Sequence, residues 1–248
     1  MGQPGREDQG SAKKIDIRRA SERFVTRASW LLSYHSFSFA NHYDPHNIRF
    51  GLLIVNNDDI VQPRRGFDSH PHVDMEIVTW VMEGELEHRD STGASGVIYP
   101  GLAQRMSAGT GIWHSEMNPS ADRTVRLVQM WVVPDTKGVK PSYQQLDVSG
   151  ELKRGELIPV AAGASRRAAV SINQRDAVLW VGKLAPGKSV AMPDNAFVHL
   201  YVARGSTELE QAGTLAAGDA ARLSDAGARR LTAGTEEGAE VLIWEMAA

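Results

Sequence analysis

The spacing of turn signals constrains this chain of 248 residues more than any other feature. Runs of β-branched and aromatic residues recur along it, each closed by Gly or Pro. Ile77-Val78-Thr79-Trp80-Val81 is followed by Glu83-Gly84, Val97-Ile98-Tyr99 by Pro100-Gly101, and Gln104-Arg105-Met106-Ser107-Ala108 by Gly109. Val125-Arg126-Leu127-Val128-Gln129-Met130-Trp131-Val132-Val133 is stopped by Pro134. Short runs with turn signals about every eight to twelve residues are the pattern of an all-β sandwich or barrel. Arg49-Phe50-Gly51-Leu52-Leu53-Ile54-Val55 reads as a further strand, and Asn56-Asn57-Asp58-Asp59 after it as a solvated turn.

The length suits two domains. Between about residues 135 and 160 the β rhythm lapses, with Pro141, Gly150, Gly155 and several charges, and it resumes at Ala177-Val178-Leu179-Trp180-Val181. A weak internal repeat relates the two stretches. Trp80-Val81-Met82-Glu83-Gly84 matches Tyr201-Val202-Ala203-Arg204-Gly205, and the segment from Pro100 to Ser107 matches that from Ala217 to Ser224. The expected organisation is a lead-in over 1–14, a first domain over 15–145, and a linker with a second domain over 146–248.

His70-Pro71-His72 places two imidazoles on one face of a strand, because strand side chains alternate. Glu76 has the same parity if the strand stays regular. His114 and Glu116 repeat the spacing after the turn residues Gly109 and Gly111. Two antiparallel strands, each offering such a pair, would converge on one point. Three imidazoles and a carboxylate suit iron, nickel, copper, cobalt, manganese or zinc rather than calcium. Carried across the repeat, His70 falls on Ala191, His72 on Pro193, Glu76 on Phe197, His114 on Leu231 and Glu116 on Ala233. The second copy thus keeps the turns and lacks every candidate ligand, which argues that the first copy's histidines serve chemistry.

Composition narrows the alternatives. With no cysteine, disulfides, thiolate nucleophiles, Cys-ligated zinc and iron–sulfur clusters are excluded. A net charge of −3 argues against a nucleic-acid partner held by bulk electrostatics. No apolar run is long enough to span a membrane. The polar, Gly-rich start contains no signal-peptide core, so a cytoplasmic protein is expected. His35, His42, His46 and His88 read as surface or turn histidines, and His199 as a core or surface residue with its polar needs met. The aromatic side chains of Phe37, Phe39, Trp80 and Trp113 read either as core or as a stacking surface for a flat substrate.

Gly66-Phe67-Asp68-Ser69-His70-Pro71-His72, with Asp74-Met75-Glu76 behind it, resembles the first cupin motif as pirins carry it. Glu83-Gly84-Glu85-Leu86-Glu87-His88-Arg89-Asp90-Ser91 resembles the strand and turn that follow, and the segment from Gln104 to Glu116 resembles the second motif. The likeness is strong over residues 15–145, weaker beyond, and nearer the bacterial quercetinase-like pirins than the vertebrate nuclear form. Val73-Asp74 departs from the Arg-Gly of many pirins. The resemblance implies a bicupin: two tandem jelly-roll β-barrels with one metal, usually Fe(II), in the first. His70, His72, His114 and Glu116 would be its ligands. General cupins take their carboxylate from the first motif, here Glu76, so the fourth ligand stays open between Glu116 and Glu76. The implied activity is O2-dependent cleavage of a flavonol such as quercetin, with Glu116 or Glu76 as base. The partners would be a small aromatic substrate and O2, and the chain a monomer. The alternative is a metal- or redox-responsive regulator that docks another protein without turnover.

Overall fold

In the computed structural model, residues 14–225 and 227–247 are described; apart from Lys14, the lead-in expected over 1–14 lies outside them. The chain is almost wholly β. Its first half runs through β1 (Lys14–Arg18), β2 (Phe24–Arg27), β3 (Leu31–His35), β4 (Leu53–Val61), β5 (Gly66–His72), β6 (Glu76–Glu83) and β7 (Leu86–Asp90). It continues with β8 (Ser95–Ile98), β9 (Leu102–Ser107), β10 (Ile112–Met117), β11 (Val125–Val132) and β12 (Ser142–Asp147). After a single-turn helix, α1 (Ser149–Leu152), come β13 (Ile158–Gly163), β14 (Val170–Ile172), β15 (Ala177–Leu184), β16 (Ser189–Ala191) and β17 (Phe197–Leu209). The last strands are β18 (Gly213–Ala216), β19 (Ala220–Ser224), β20 (Arg230–Ala233) and β21 (Ala239–Met246). Among the described residues no helix is long and apolar enough to cross a membrane.

The first half stacks a seven-stranded sheet, ordered β12-β9-β6-β11-β4-β3-β2, over a four-stranded sheet, β5-β10-β7-β8. The second half repeats the larger order as β1-β19-β17-β21-β15-β13-β14. Its smaller layer is β16-β20, the end of β17, and β18, which merges with the larger because β17 is continuous where β6 and β7 are separate strands. The repeat read from the sequence is therefore a repeat of topology. β1, which the sequence reading puts in the first domain, pairs with β19 of the second half, where it takes the place that β12 takes on β9.

The large sheets pack face to face, which explains why their strands read as unbroken apolar runs. On β6, Val78, Trp80 and Met82 point to the second half and join Leu179, Tyr201, Leu242 and Trp244 in the largest apolar cluster. Ile77 and Val81, of opposite parity, face the interior of the first half. Trp80 Nε1 reaches across to donate to Glu240 Oε1 at 2.7 Å.

Two expectations are corrected here. Asn56-Asn57-Asp58-Asp59 is no solvated turn: β4 runs straight through it and all four residues are buried. Partners on both faces make this tolerable. Asp58 accepts from Arg126 at 3.0 and 2.8 Å and from Tyr201 Oη at 2.7 Å, while Asn57 meets His35 Nδ1 at 2.9 Å. Glu76 does not share the histidine face. The strand does not stay regular after His72: Asp74 turns to a φ of 46°, and Glu76 opens a strand of the other sheet.

Candidate metal centre

β5 is an edge strand, paired only with β10, which accommodates Pro71. His70 lies directly opposite His114 in that pairing. Gly109, at a φ of 47°, makes the turn before β10, and a Cβ there would collide with the Val139 carbonyl. The three imidazoles converge. His114 Nε2 lies 3.1 Å from His70 Nε2, and the His72 ring centroid lies 4.9 and 5.0 Å from those of His70 and His114. One nitrogen from each of the three lies within 4.8 Å of the others.

Their protonation suits a metal. His70 Nδ1 lies 2.7 Å from the Asp68 carbonyl oxygen, which only accepts, so Nδ1 donates there and Nε2 is the nitrogen turned to the other imidazoles. Burial, with the neighbouring His114 and His70, pushes His72 down to about 4. Burial again, with His70 and His88, pushes His114 down to about 3. Both are neutral near pH 7. His72 Nε2 is buried with no hydrogen-bond partner among the described residues, and a buried polar atom without a partner is costly. Converging neutral nitrogens with one orphaned atom fit a divalent transition metal, which would satisfy them together.

Glu116 is buried on the same strand face as His114. Its carboxylate accepts from Gln129 Nε2 at 2.7 Å and from Thr79 Oγ1 at 3.4 Å, and Gln129 Oε1 accepts from Trp131 Nε1 at 3.0 Å. Glu116 forms a second potential ligand group with His114 and His88, adjoining the first through His114. Glu76 belongs to neither group. It accepts from Ser107 Oγ at 2.7 Å and from Asn173 Nδ2 of the second half at 3.0 Å, a contact between halves rather than a wall of the site.

His88 and His35 are not surface histidines: both are buried. His88 Nε2 lies 3.0 Å from Asp90 Oδ2. His199 is buried with neither ring nitrogen partnered among the described residues, and burial, with Arg222 nearby, pushes it down to about 3. A polar belt also escaped the sequence reading. Gln104, Thr79, Gln129, Asn57 and His35 lie in register across β9, β6, β11, β4 and β3. Its signal was present as single polar residues interrupting apolar runs, as in Val78-Thr79-Trp80 and Val128-Gln129-Met130.

A cavity of about 520 Å³ opens beside His70, His72 and Glu116. Trp30, Phe39, Phe67 and Trp131 supply its aromatic wall, and Asn57, Asp59 and Gln129 part of its polar one. Burial above all, opposed by a bond from Ser33 and reinforced by Asp58 and Glu116, pushes the Asp59 carboxyl up to about 7. Of the aromatic residues singled out in the sequence, only Phe39 lines this cavity. Phe37 and Trp80 lie in the core between the halves, and Trp113 is 55% exposed.

Comparison with known proteins agrees with this geometry. The Pirin family model matches residues 17–132, and that of the quercetinase C-terminal cupin domain matches residues 159–246. A Mycobacterium tuberculosis (H37Rv) protein, named as a candidate quercetin 2,3-dioxygenase, is 57% identical over 233 residues, covering 94% of this chain and 95% of its own. The quercetin 2,3-dioxygenase of Escherichia coli K12 is 49% identical over 131 residues, 53% of this chain and 57% of its own. The crystal structure of the E. coli pirin YhhW in complex with nickel(II) superposes with a TM-score of 0.86 at 33% identity, covering 94% of this chain and 99% of that one. Carrying both cupin halves in the expected order, the chain belongs to the pirin family.

Proposed function

We propose that the chain is a metal-dependent dioxygenase that cleaves a flavonol such as quercetin with O2, using one divalent transition metal, Fe(II) by preference, held by His70, His72, His114 and Glu116. The observation that carries this reading is the open, aromatic-lined cavity beside the three imidazoles and Glu116. The names of the relatives and the nickel of YhhW support it. Bound there, the metal would supply Lewis acidity towards a substrate oxygen and a site for O2.

The chain's own residues do the rest. Trp30, Phe39, Phe67 and Trp131 bind a flat aromatic ring system and exclude water. Glu116 is the base for the substrate hydroxyl. Its Oε2 is occupied by Gln129, so the proton passes to Oε1, which holds only the longer contact from Thr79. Gln129, itself fixed by Trp131, keeps the carboxylate aimed. Glu76 takes no part, because Ser107 and Asn173 hold it elsewhere. The alternative, a regulator without turnover, does not account for an open cavity of this lining.

The test is anaerobic loading with Fe(II), followed by quercetin and O2, with flavonol absorbance and carbon monoxide release followed together. The wild type should turn over, and the double variant His70→Ala/His114→Ala, treated identically, should neither retain metal nor consume quercetin. A wild type that binds Fe(II), Ni, Co, Cu or Mn and turns over with none of them would sink the dioxygenase reading in favour of the regulator.

A further inference from the structure

We propose that the seam between the two halves binds a small monovalent anion, a chloride ion, against the buried guanidinium of Arg222. The cavity concerned shares only His35 with the one at the metal centre.

Arg222, on β19, is 4% exposed, and its guanidinium carbon lies 4.4 Å from the Phe37 ring centre and 5.9 Å from that of Phe50. Its Nη2 donates to the Ser36 carbonyl at 3.0 Å and to Asn47 Oδ1 at 2.8 Å. Its Nε is buried without a partner among the described residues. Neutral oxygens solvate a guanidinium but do not balance its charge, and a buried charge without a counter-charge is costly. His199 stands opposite Arg222 in the strand pairing, fully buried with both ring nitrogens unpartnered, so no acid comes from that side. Burial, with Arg18 nearby, pushes Arg222 down to about 10, and Asp16 opposes this only in part.

A cavity of about 30 Å³ meets this guanidinium. Arg18, Arg19 and Arg23 line it as well, against one acid, Glu22. Those three arginines each meet a carboxylate: Asp16 at 2.9 Å, Asp219 at 2.8 Å and Asp58 at 3.8 Å. Arg222 is the lining arginine that meets none among the described residues. Ser36, also in the wall, accepts from Asn56 Nδ2 at 3.1 Å and keeps its own hydroxyl proton to donate. A space of this size takes a halide ion or a little water and is too small for phosphate. The excess of positive charge in its wall favours the halide.

The first half shows what Arg222 lacks. Across the internal repeat Arg105 matches Arg222, and the two stand opposite Val78 and His199 at matching points of the large sheets. Arg105 is also buried, with Nη1 donating to Ser142 and Nε unpartnered. Burial pushes Arg105 down, but the Glu76 carboxylate opposes this. Glu76 stands opposite Ser107, and at the matching point Phe197 stands opposite Ser224. The second half thus keeps the buried arginine and lacks its acid. A bound anion supplies the missing charge.

The first readout is the melting temperature of the full chain as chloride replaces gluconate at constant ionic strength, gluconate being too large for the cavity. The wild type should show a saturable rise, from which an affinity is read. Arg222→Met keeps the stem of the side chain and removes the charge, and its chloride affinity should be lower by about tenfold or more. Crystals grown in bromide should show an anomalous peak within hydrogen-bond reach of the Arg222 guanidinium. A wild type without the saturable rise overturns the proposal even if that peak is present, because it then marks an adventitious ion only. Density at the seam without an anomalous signal overturns it in favour of water. So does an Arg222→Met protein that keeps the wild-type chloride dependence. The wild-type melts and the bromide crystal decide the matter if the variant does not fold. None of these readouts involves the metal or turnover, so inactivity towards quercetin leaves the anion site standing.

Discussion

Gln129 Nε2 is the close donor to the buried Glu116 carboxylate, at 2.7 Å, and its own oxygen is fixed by Trp131. Gln129→Leu keeps the side chain's bulk and removes both bonds. Losing a hydrogen bond to a buried charged group costs about 1.5–3 kcal/mol, so denaturant unfolding of the metal-free variant should register a loss of that size. Outer partners of a metal ligand are worth about 10–100-fold in metal affinity or activity. Quercetin turnover should fall within that range, provided the protein remains folded. The same scale explains which residues were legible. His70, His72, His114 and Glu116 stand out in the sequence because paired polar residues two apart on a strand are hard to explain as packing. His88 and Asp90 carry the same spacing on β7. The sequence alone reads His88 as a surface or turn histidine, because nothing in it says that β7 lies beside β10.

Among the elements, β4 is the one whose character depends most on its neighbours. Asp58 is buried on its outer face, where Arg126 of β11 and Tyr201 of β17 both donate to it. Burial pushes the Asp58 carboxyl up, and the Arg126 guanidinium, with Tyr201 and Arg23, more than reverses this, leaving it below its ordinary value. The stability this contributes is complete above the unfolded value of about 3.9 and is lost as pH falls through the folded value. Arg126→Met removes both close bonds and leaves the buried Asp58 with Tyr201 and, at 3.8 Å, Arg23, so the cost falls below the roughly 3–5 kcal/mol of a fully unpaired buried charge. Thermal melts should find a destabilisation at pH 7 and a smaller one below about pH 4, where protonation removes the under-compensated charge. A deficit independent of pH would mean that Arg126 acts by packing alone.

For the whole molecule, the largest apolar cluster lies between the two halves rather than inside either. Trp80, fully buried there, donates to Glu240 of the second half, and β1 ties the start of the described chain to β19. The halves should therefore unfold together. Trp80→Ala opens a cavity at this shared core, and such truncations cost about 3–5 kcal/mol. Calorimetry should find a single transition in the wild type, with calorimetric and van't Hoff enthalpies equal, shifted down in the variant without splitting. Two separated wild-type transitions would contradict a shared core.

The sequence by itself determined the all-β class and the tandem repeat, and it singled out His70, His72, His114 and Glu116 as candidates while leaving Glu76 open beside Glu116. Each is written in local spacing: turn residues between short runs, matching segments in both halves, and pairs two apart on one strand face. The tertiary structure alone decided that Asn56-Asn57-Asp58-Asp59 is buried strand, that Glu76 faces the second half, and that His88 lies beside His114. These depend on which strands become neighbours and which face of a sheet is covered. A polar residue's burial is set by partners far away in sequence, such as Tyr201 for Asp58 and Asn173 for Glu76.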